Sequence, residues 1–539
     1  MQTKKICLNG KWFFQAVESF DKKVYGFSVP SLWTHGECWG YPDSWSQVKQ
    51  AWIWRKITIP DEWKNFRIVL KFEAVMLKAE VFLDNTKIGE HTGGFTPFEI
   101  DLSDIAKTFN KNSCELRVLV TSAKYAEQGQ KLIHQIGYPE NYEEGCLPGG
   151  IWQSIWLIAL PQVHFGNWHY NSYISKNKLE FFIKIHNVST QKFNGYVKCL
   201  FLNNQNKKFF PDKNIKITSG NKIAIKFNKP IDKLPLWSSS LPNLLKIIFV
   251  LIDSNGKLIH KLPVRIGLRE FSIKQDKFLL NGKPIHLLGY SLIRHRVSPH
   301  WWREDYVRTI FRFIKKLGFN HIRTHAAICP EVILKVADEE GILIQDQSSL
   351  WSTGQSGYFL GGPTLLQNSK REFKEWIERD RNHPSVIIWD VENELIRINA
   401  RNTSLVNELI DFVKTIDSTR PVVASGAGAH KHSDFYHQHC ERGLTKIIDF
   451  WAKQHRNKPF VAGEWWADAT KLSMNTTHFG VNNLKRYPAE FKSQDDIHRK
   501  FGQLYRDEII AHRIRGVAGT VLFGMDSLFL NHGGQQKHI

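Results

Sequence analysis

The stretch RNHPSVIIWDVENE, Arg381–Glu394, decides the fold. It opens on turn residues, Asn382-His383-Pro384-Ser385, and runs on through Val386-Ile387-Ile388-Trp389, which reads as a fully buried strand. It closes on Asn393 and Glu394. A strand buried on both faces and tipped with an amide and a carboxylate is how a parallel α/β barrel presents reactive groups. Seventy residues on, Pro459-Phe460-Val461-Ala462-Gly463 leads into Glu464, with Trp465 and Trp466 behind it. Two carboxylates, each ending a buried strand and one beside aromatics, form a pair suited to acid and nucleophile chemistry at one centre.

Outward from this pair, the chain from about residue 269 alternates strand and helix patterns. Eight strand candidates are His286–Ser291, His321–His325, Ile342–Ser348, Val386–Glu392, Val422–Gly426, Asp434–His439, Phe460–Trp465 and Gly519–Gly524. Between them, Arg303–Leu317 carries Val307, Ile310, Phe311 and Ile314 at helical spacing, and Glu331–Glu340 carries Val332, Leu334 and Val336. Eight such units predict a (β/α)8 TIM barrel. Phe278–His286, with Asn281-Gly282 inside it, reads as a lead-in hairpin. After the eighth strand about 15 residues remain, and Asn531–Ile539 has no helical pattern, so the closing helix looks absent, as in a fragment of a longer protein.

Residues 1–162 read as all-β, with short alternating runs at Trp52–Ile59, Arg67–Phe72, Ala79–Leu83, Cys114–Val120 and Trp152–Ile158. Turn signals such as Asp84-Asn85 and Gly93-Gly94 separate them, a pattern of sandwiches. Residues 163–268 form a second β unit, alternating at Leu179–His186, Tyr196–Phe201, Lys222–Phe227 and Leu245–Leu251. Roughly seven strands in that length fit an immunoglobulin-like β-sandwich. The fold class is therefore multidomain β plus α/β, with the barrel over 269–539.

Of 539 residues, 42% are hydrophobic and 23% charged, the composition of a globular protein of several domains. No apolar run approaches a membrane span, so no membrane partner is expected. Met1–Ile6 has two lysines but no apolar region behind them, which points to the cytoplasm unless a signal was removed. The net charge of +21 raises the class of nucleic-acid binders. Yet the lysines are scattered, as at Lys207, Lys208, Lys222, Lys226 and Lys229, and no basic helix stands out. A solvated surface follows and no nucleic acid is expected, while an anionic polysaccharide stays open. Seven cysteines without a Cys-x-x-Cys pair argue against a disulfide framework or a zinc site. Nineteen tryptophans agree with a site that stacks on sugar faces, although most Trp side chains simply pack.

Two N-terminal segments carry a resemblance: Lys71–Asn85 with Gly89–Phe98, and Pro148-Gly-Gly-Ile-Trp-Gln-Ser-Ile-Trp-Leu157. Both resemble the sugar-binding jelly roll of glycoside hydrolase family 2, the family of β-galactosidases, β-glucuronidases and β-mannosidases. Phe319–His325, Asn382–Glu394 and Ser418–Gly426 are similar to its barrel. The resemblance implies a jelly-roll β-sandwich over 1–162. It also implies retaining hydrolysis of a β-glycoside, with Glu394 as acid/base after strand four and Glu464 as nucleophile after strand seven. The pKa of Glu394 should then be raised by burial and by the other carboxylate. Asn393 would bond the sugar 2-hydroxyl. Arg323 would buttress the nucleophile and His325 line the site. His295 follows strand one in a segment, Tyr290–His295, that departs from the family pattern. Tyr436, His437 and His439 end strand six, where one of them should approach the nucleophile. Trp465, Trp466 and Trp351 are candidate stacking platforms. Glu392 is kept behind Glu394, and Asp346-Gln347 carries no role.

The sugar is less legible. The Asn-x-Lys by which the family's β-glucuronidases grip a carboxylate follows strand eight, whereas Asn483-Leu484-Lys485 follows strand seven. A β-galactosidase-type activity is the default, with β-glucuronidase, β-mannosidase or a polysaccharide-specific activity as alternatives. The partner is a carbohydrate, no cofactor or metal is implied, and homo-oligomerisation is left open. A rival of another class is a non-catalytic carbohydrate-binding protein on a decayed barrel.

Overall fold

The computed structural model describes residues 3–522 except 19–22, 35–38, 109–112, 124–148, 203, 294–297, 352–362, 429, 441–447, 450, 454–456, 466–498, 500–502, 504–505 and 508. By contacts the chain divides into two compact units, one holding residues 1–237, 243–269 and 362–384, the other holding 238–242, 270–361 and 385–539.

The second unit is built on eight parallel strands: β1 (Leu287–Leu292), β2 (His321–Thr324), β3 (Leu343–Gln347), β4 (Val386–Asn393), β5 (Val422–Ser425), β6 (Tyr436–Cys440), β7 (Phe460–Trp465) and β8 (Gly519–Leu522). Their order is β5-β4-β3-β2-β1-β8-β7-β6, so β1 pairs with both β2 and β8 and the sheet curls into a near-closed barrel. All eight expected strands are present. Every residue of β2, β3, β4, β5 and β8 is buried, as parallel strands covered on both faces require. The interior is filled closely enough to select glycine at two strand positions. A Cβ on Gly289 would meet His321 O at 2.3 Å, and one on Gly463 would meet His437 Cε1 at 1.9 Å.

Helix Glu304–Lys316 buries Val307, Phe311 and Ile314, at the spacing anticipated, with acids in its first turn and lysines in its last. Helix Glu331–Glu340 buries Ile333, Leu334, Val336 and Ala337, so Ile333 rather than Val332 faces the barrel. It ends on Gly341 at φ 74°, the left-handed cap that glycine adopts without a Cβ penalty. The lead-in hairpin also forms: Leu280 pairs with Lys283 across Asn281 (φ 54°) and Gly282 (φ 78°).

In the first unit, a four-stranded and a six-stranded antiparallel sheet drawn from Lys4–Leu160 share a core that includes Trp12, Phe14, Ile53, Leu70, Phe72, Val118 and Leu157. Val163–Ile266 adds seven strands in sheets of three and four, meeting over Phe181, Phe210, Phe227 and Phe249. Helix Pro363–Asp380 groups with this unit, where Thr96 Oγ1 donates to Glu375 at 2.7 Å. In chain order it lies between β3 and β4, inside the segment that sequence reading assigns to the barrel.

The entry to β4 is braced from behind by a buried ion pair. Arg420 Nη1 donates to Asp417 Oδ2 at 2.6 Å and its Nε to Val386 O at 2.7 Å, while Trp389 Nε1 donates to the same Asp417 oxygen at 3.0 Å. All three side chains are buried. Removing one partner of such a pair leaves an uncompensated charge. Asp417→Ala is therefore expected to destabilise the barrel by about 3–5 kcal/mol, measured as a lowered urea midpoint at unchanged slope.

Candidate active site

Glu394 directly follows β4 and Glu464 is the fifth residue of β7. Both sit in left-handed backbone, at φ 59° and 43°, as does Ala326 after β2 at φ 50°. Side-chain-bearing residues rarely adopt this conformation, and it collects at functional sites where surrounding contacts hold it. Here the three positions cluster at the C-terminal ends of barrel strands, the end at which such barrels place their sites. One oxygen of each carboxylate and one ring nitrogen of His439 lie within 4.8 Å of one another. Among the described residues this is the one donor set close enough to hold a metal ion. The same atoms already lie at hydrogen-bonding or ion-pairing separations from each other.

Arg323, at the end of β2, is fully buried and organises the floor. Its Nη1 donates to Glu464 Oε1 at 2.7 Å, its Nη2 to Gln347 Oε1 at 3.0 Å and to Asn393 Oδ1, and its Nε to Asp390 Oδ2 at 3.3 Å. Asp390 Oδ2 also accepts from Gln345 Nε2 at 2.8 Å, from Gln347 Nε2 at 2.7 Å and from Ser425 Oγ. His325 Nε2 lies 3.1 Å from Glu464 Oε1. Burial pushes the Glu464 carboxyl up, but the charges of His439, His325 and Arg323 outweigh it and hold the group well below the usual carboxylate range.

Glu394 is built differently. His439 Nδ1 lies 2.8 Å from its Oε1 and 3.3 Å from Glu464 Oε2, so one imidazole spans both carboxylates. Arg397 Nη1 donates to the same Glu394 Oε1. Oε2 accepts no hydrogen bond from the described residues and is the oxygen left to face a ligand. A raised pKa, expected for this group, is corrected here. Burial and the Glu464 charge do push it up, but the His439 hydrogen bond and the Arg397 charge bring the net below the ordinary value. Burial raises Asp390 instead and, above all, Glu392. The Glu392 carboxyl goes well above the ordinary range, Asp390 and Glu394 add to this, and its Oε2 accepts from Leu395 N at 2.6 Å.

The remaining candidates separate by strand alternation. Asn393 lies between Arg323 and His325, its Nδ2 3.5 Å from His325 Nε2. Of the three β6 residues, His439 alone reaches both carboxylates. His437 shares its face but sits deeper, fully buried over Gly463, with neither ring nitrogen hydrogen-bonded among the described residues. Tyr436 alternates to the other face, where Lys458 Nζ lies over its ring at 6.0 Å. Trp351 bridges Asn393 by backbone, and its ring meets His325 edge-on at 4.9 Å. Trp465 belongs to β7 by its backbone, while Arg294, His295, Trp466, Asn483–Lys485 and Phe523–Asp526 lie outside the described residues. Sequence reading passed over Asp390, Gln345, Gln347 and Arg397. The first three carried a signal, since each is polar inside an otherwise apolar strand.

Comparison with known proteins follows this geometry. The model described as "Glycosyl hydrolases family 2, TIM barrel domain" matches residues 271–526, and that for "Glycosyl hydrolase 2 galactose-binding domain-like" matches 42–172. The chain belongs to glycoside hydrolase family 2. Within the family it is similar to a β-glucuronidase of Bacteroides fragilis, 24% identical over 453 residues that cover 79% of this chain and 61% of that protein. It is also similar to a β-galactosidase of Priestia megaterium, 25% identical over 481 residues that cover 79% of this chain and 44% of the relative. The chain thus spans less than two thirds of the length of either. Among family 2 structures, the fold matches a β-glucuronidase of Bacteroides uniformis at TM-score 0.78 and 20% identity, over 97% of this chain and 65% of that one. It matches a β-galacturonidase of Eisenbergiella tayi bound to galacturonate at 0.76 and 20%, over 97% and 89%.

The ionised state of Glu464 has a consequence for stability. A carboxyl held below its unfolded value of about 4.3 stabilises the fold above that pH, and the contribution is lost as pH falls through the folded value. The stability difference between the unmodified protein and Glu464→Gln is therefore expected to be full at neutral pH and to shrink progressively below about pH 4.3. Urea midpoints of both proteins across that range test this, and a difference independent of pH would contradict it.

Proposed function

We propose that this family 2 chain is a retaining β-glycosidase. The observation that carries the reading is the closeness of the two carboxylates, with an oxygen of each within 4.8 Å. Retaining sites hold their carboxyl groups about 5–5.5 Å apart, whereas inverting sites need roughly 6.5–9.5 Å to admit a water. Glu464 Oε2 attacks C1 of the sugar, and the bond from C1 to the leaving oxygen breaks. Glu394 gives its proton to that oxygen. A water then attacks C1 of the glycosyl ester and loses a proton to Glu394, and the ester bond to Glu464 breaks. Arg323 and His325 keep Glu464 ionised for the first attack, and Asn393, oriented by Arg323, is positioned for the sugar 2-hydroxyl.

For the sugar, a β-galactosidase-type activity stands first by default, since no carboxylate-gripping Asn-x-Lys is legible after β8. Relatives named for glucuronide and for galactoside cleavage both match, so the alternatives keep their place. A panel of aryl β-glycosides tests the reading, with anomeric configuration of the first product followed by NMR. One glycoside should be turned over with retention, and Glu464→Gln should abolish this. Glu394→Gln should slow glycosides with poor leaving groups by about 10²–10⁴-fold and activated aryl glycosides far less. Binding of sugars by a folded protein, without turnover of any glycoside, would instead favour a carbohydrate-binding role.

A further inference from the structure

Arg397 lies three residues beyond Glu394, on the short helix Leu395–Ile398. Its Nη1 donates at 2.5 Å to the same Glu394 oxygen that His439 Nδ1 approaches at 2.8 Å. The two side chains differ in their access to solvent. His439 is 1% exposed, Glu394 19% and Arg397 36%. The candidate acid is thus held by one buried group from below and one solvent-reaching guanidinium from above.

This arrangement opposes the proposed chemistry. Glu394 must carry a proton when the glycosidic bond breaks, yet a guanidinium on its carboxylate favours the ionised form. The opposition ends if Arg397 moves to another anion as substrate arrives. A guanidinium offers a planar fork that matches carboxylate and other oxyanions. The acid acts on the leaving oxygen, so a side chain in contact with the acid stands on the leaving-group side. The chain's net charge of +21 would also concentrate polyanions near it.

Building on the glycosidase reading, we propose that Arg397 is a latch on the acid/base that recognises an anionic oxygen group, carboxylate or sulfate, on the leaving-group sugar, so that the natural substrate is an acidic β-linked oligo- or polysaccharide. Arg397 pairs with Glu394. An anionic leaving group draws the guanidinium to itself, and Glu394, still held by His439, takes one proton from solvent onto Oε2. That proton passes to the glycosidic oxygen as its bond to C1 breaks. The charged groups facing Glu394 in this step are His439 from β6, Glu464 from β7, Arg397 on its own helix and Glu392 behind it in β4.

The test uses one glycone, chosen from the aryl glycoside panel, on three leaving groups: 4-carboxyphenyl, 4-sulfophenyl and the uncharged 4-carbamoylphenyl. The unmodified enzyme is expected to favour one or both anionic leaving groups by about tenfold in kcat/KM, the scale of one charge-assisted hydrogen bond. Which anion is favoured separates uronate from sulfated substrates. Arg397→Gln should abolish the preference and move the alkaline limb of the kcat/KM profile for the uncharged glycoside to higher pH. The sign follows because removing a cation raises the pKa of the acid. Arg397→Lys should keep the preference in part. Equal rates on all three leaving groups with an unmoved limb in Arg397→Gln overturn the proposal. A second readout needs no turnover: the Glu394 carboxyl titrated by carbon-13 NMR, assigned with Glu394→Gln. An upward move in Arg397→Gln supports the latch even where no glycoside is cleaved and the glycosidase reading fails, and an unmoved titration overturns it.

Discussion

The buried guanidinium of Arg323 is the constraint on which the rest of the site depends. A fully buried charge is tolerated only with full compensation, and here the compensation comes from Asp390 and Glu464, with Asn393, Gln347 and Ser291 as further acceptors. These partners come from β1, β3, β4 and β7. One side chain from β2 thereby ties strands distant in sequence into a single polar floor. It holds Oε1 of Glu464, while Oε2 turns toward His439. It also explains why polar residues interrupt β3 and β4, which otherwise read as apolar.

The two carboxylates are consequently not equivalent, although both are glutamates ending barrel strands. Glu464 is embedded among Arg323, His325 and His439 and is held ionised, the state a nucleophile requires. Glu394 sits nearer the surface, with Oε1 committed to His439 and Arg397. The contrast agrees with the two roles proposed, as in other pairs whose surroundings separate two like groups. His439 couples them: its Nδ1 faces both, so the protonation of either carboxylate is felt by the other. The backbone shares in this, since Glu394 and Glu464 both occupy left-handed conformations that aim their side chains across the barrel mouth.

Much of this was legible in the linear chain because it rests on local rules. Buried parallel strands such as β4 are apolar runs, and the alternation of strand and helix patterns brought out the other seven. Arg323, Asn393, Glu394 and Glu464 stand at strand ends, where motif and strand position coincide. Which of Tyr436, His437 and His439 approaches the nucleophile stayed open, because a strand turns neighbouring residues to opposite faces and the string Tyr436-His437-Gln438-His439 does not say which parity points inward. The pKa of Glu394 was misjudged for a related reason. Burial and the second carboxylate could be anticipated, whereas Arg397 and His439 converging on one oxygen could not.

The sequence by itself determined the barrel, the two sandwich-like β segments and the identity of the paired glutamates, since periodicity and motif are properties of neighbours along the chain. Only the tertiary structure decided which β6 side chain spans the carboxylates, which oxygen of each it approaches, and that helix Pro363–Asp380 groups with the β-sandwich unit rather than with the barrel strands that flank it in sequence. Those are relations between residues tens to hundreds of positions apart. They depend on strand parity, on crowding at places such as Gly463 over His437, and on the requirement that every buried charge find its partners in space.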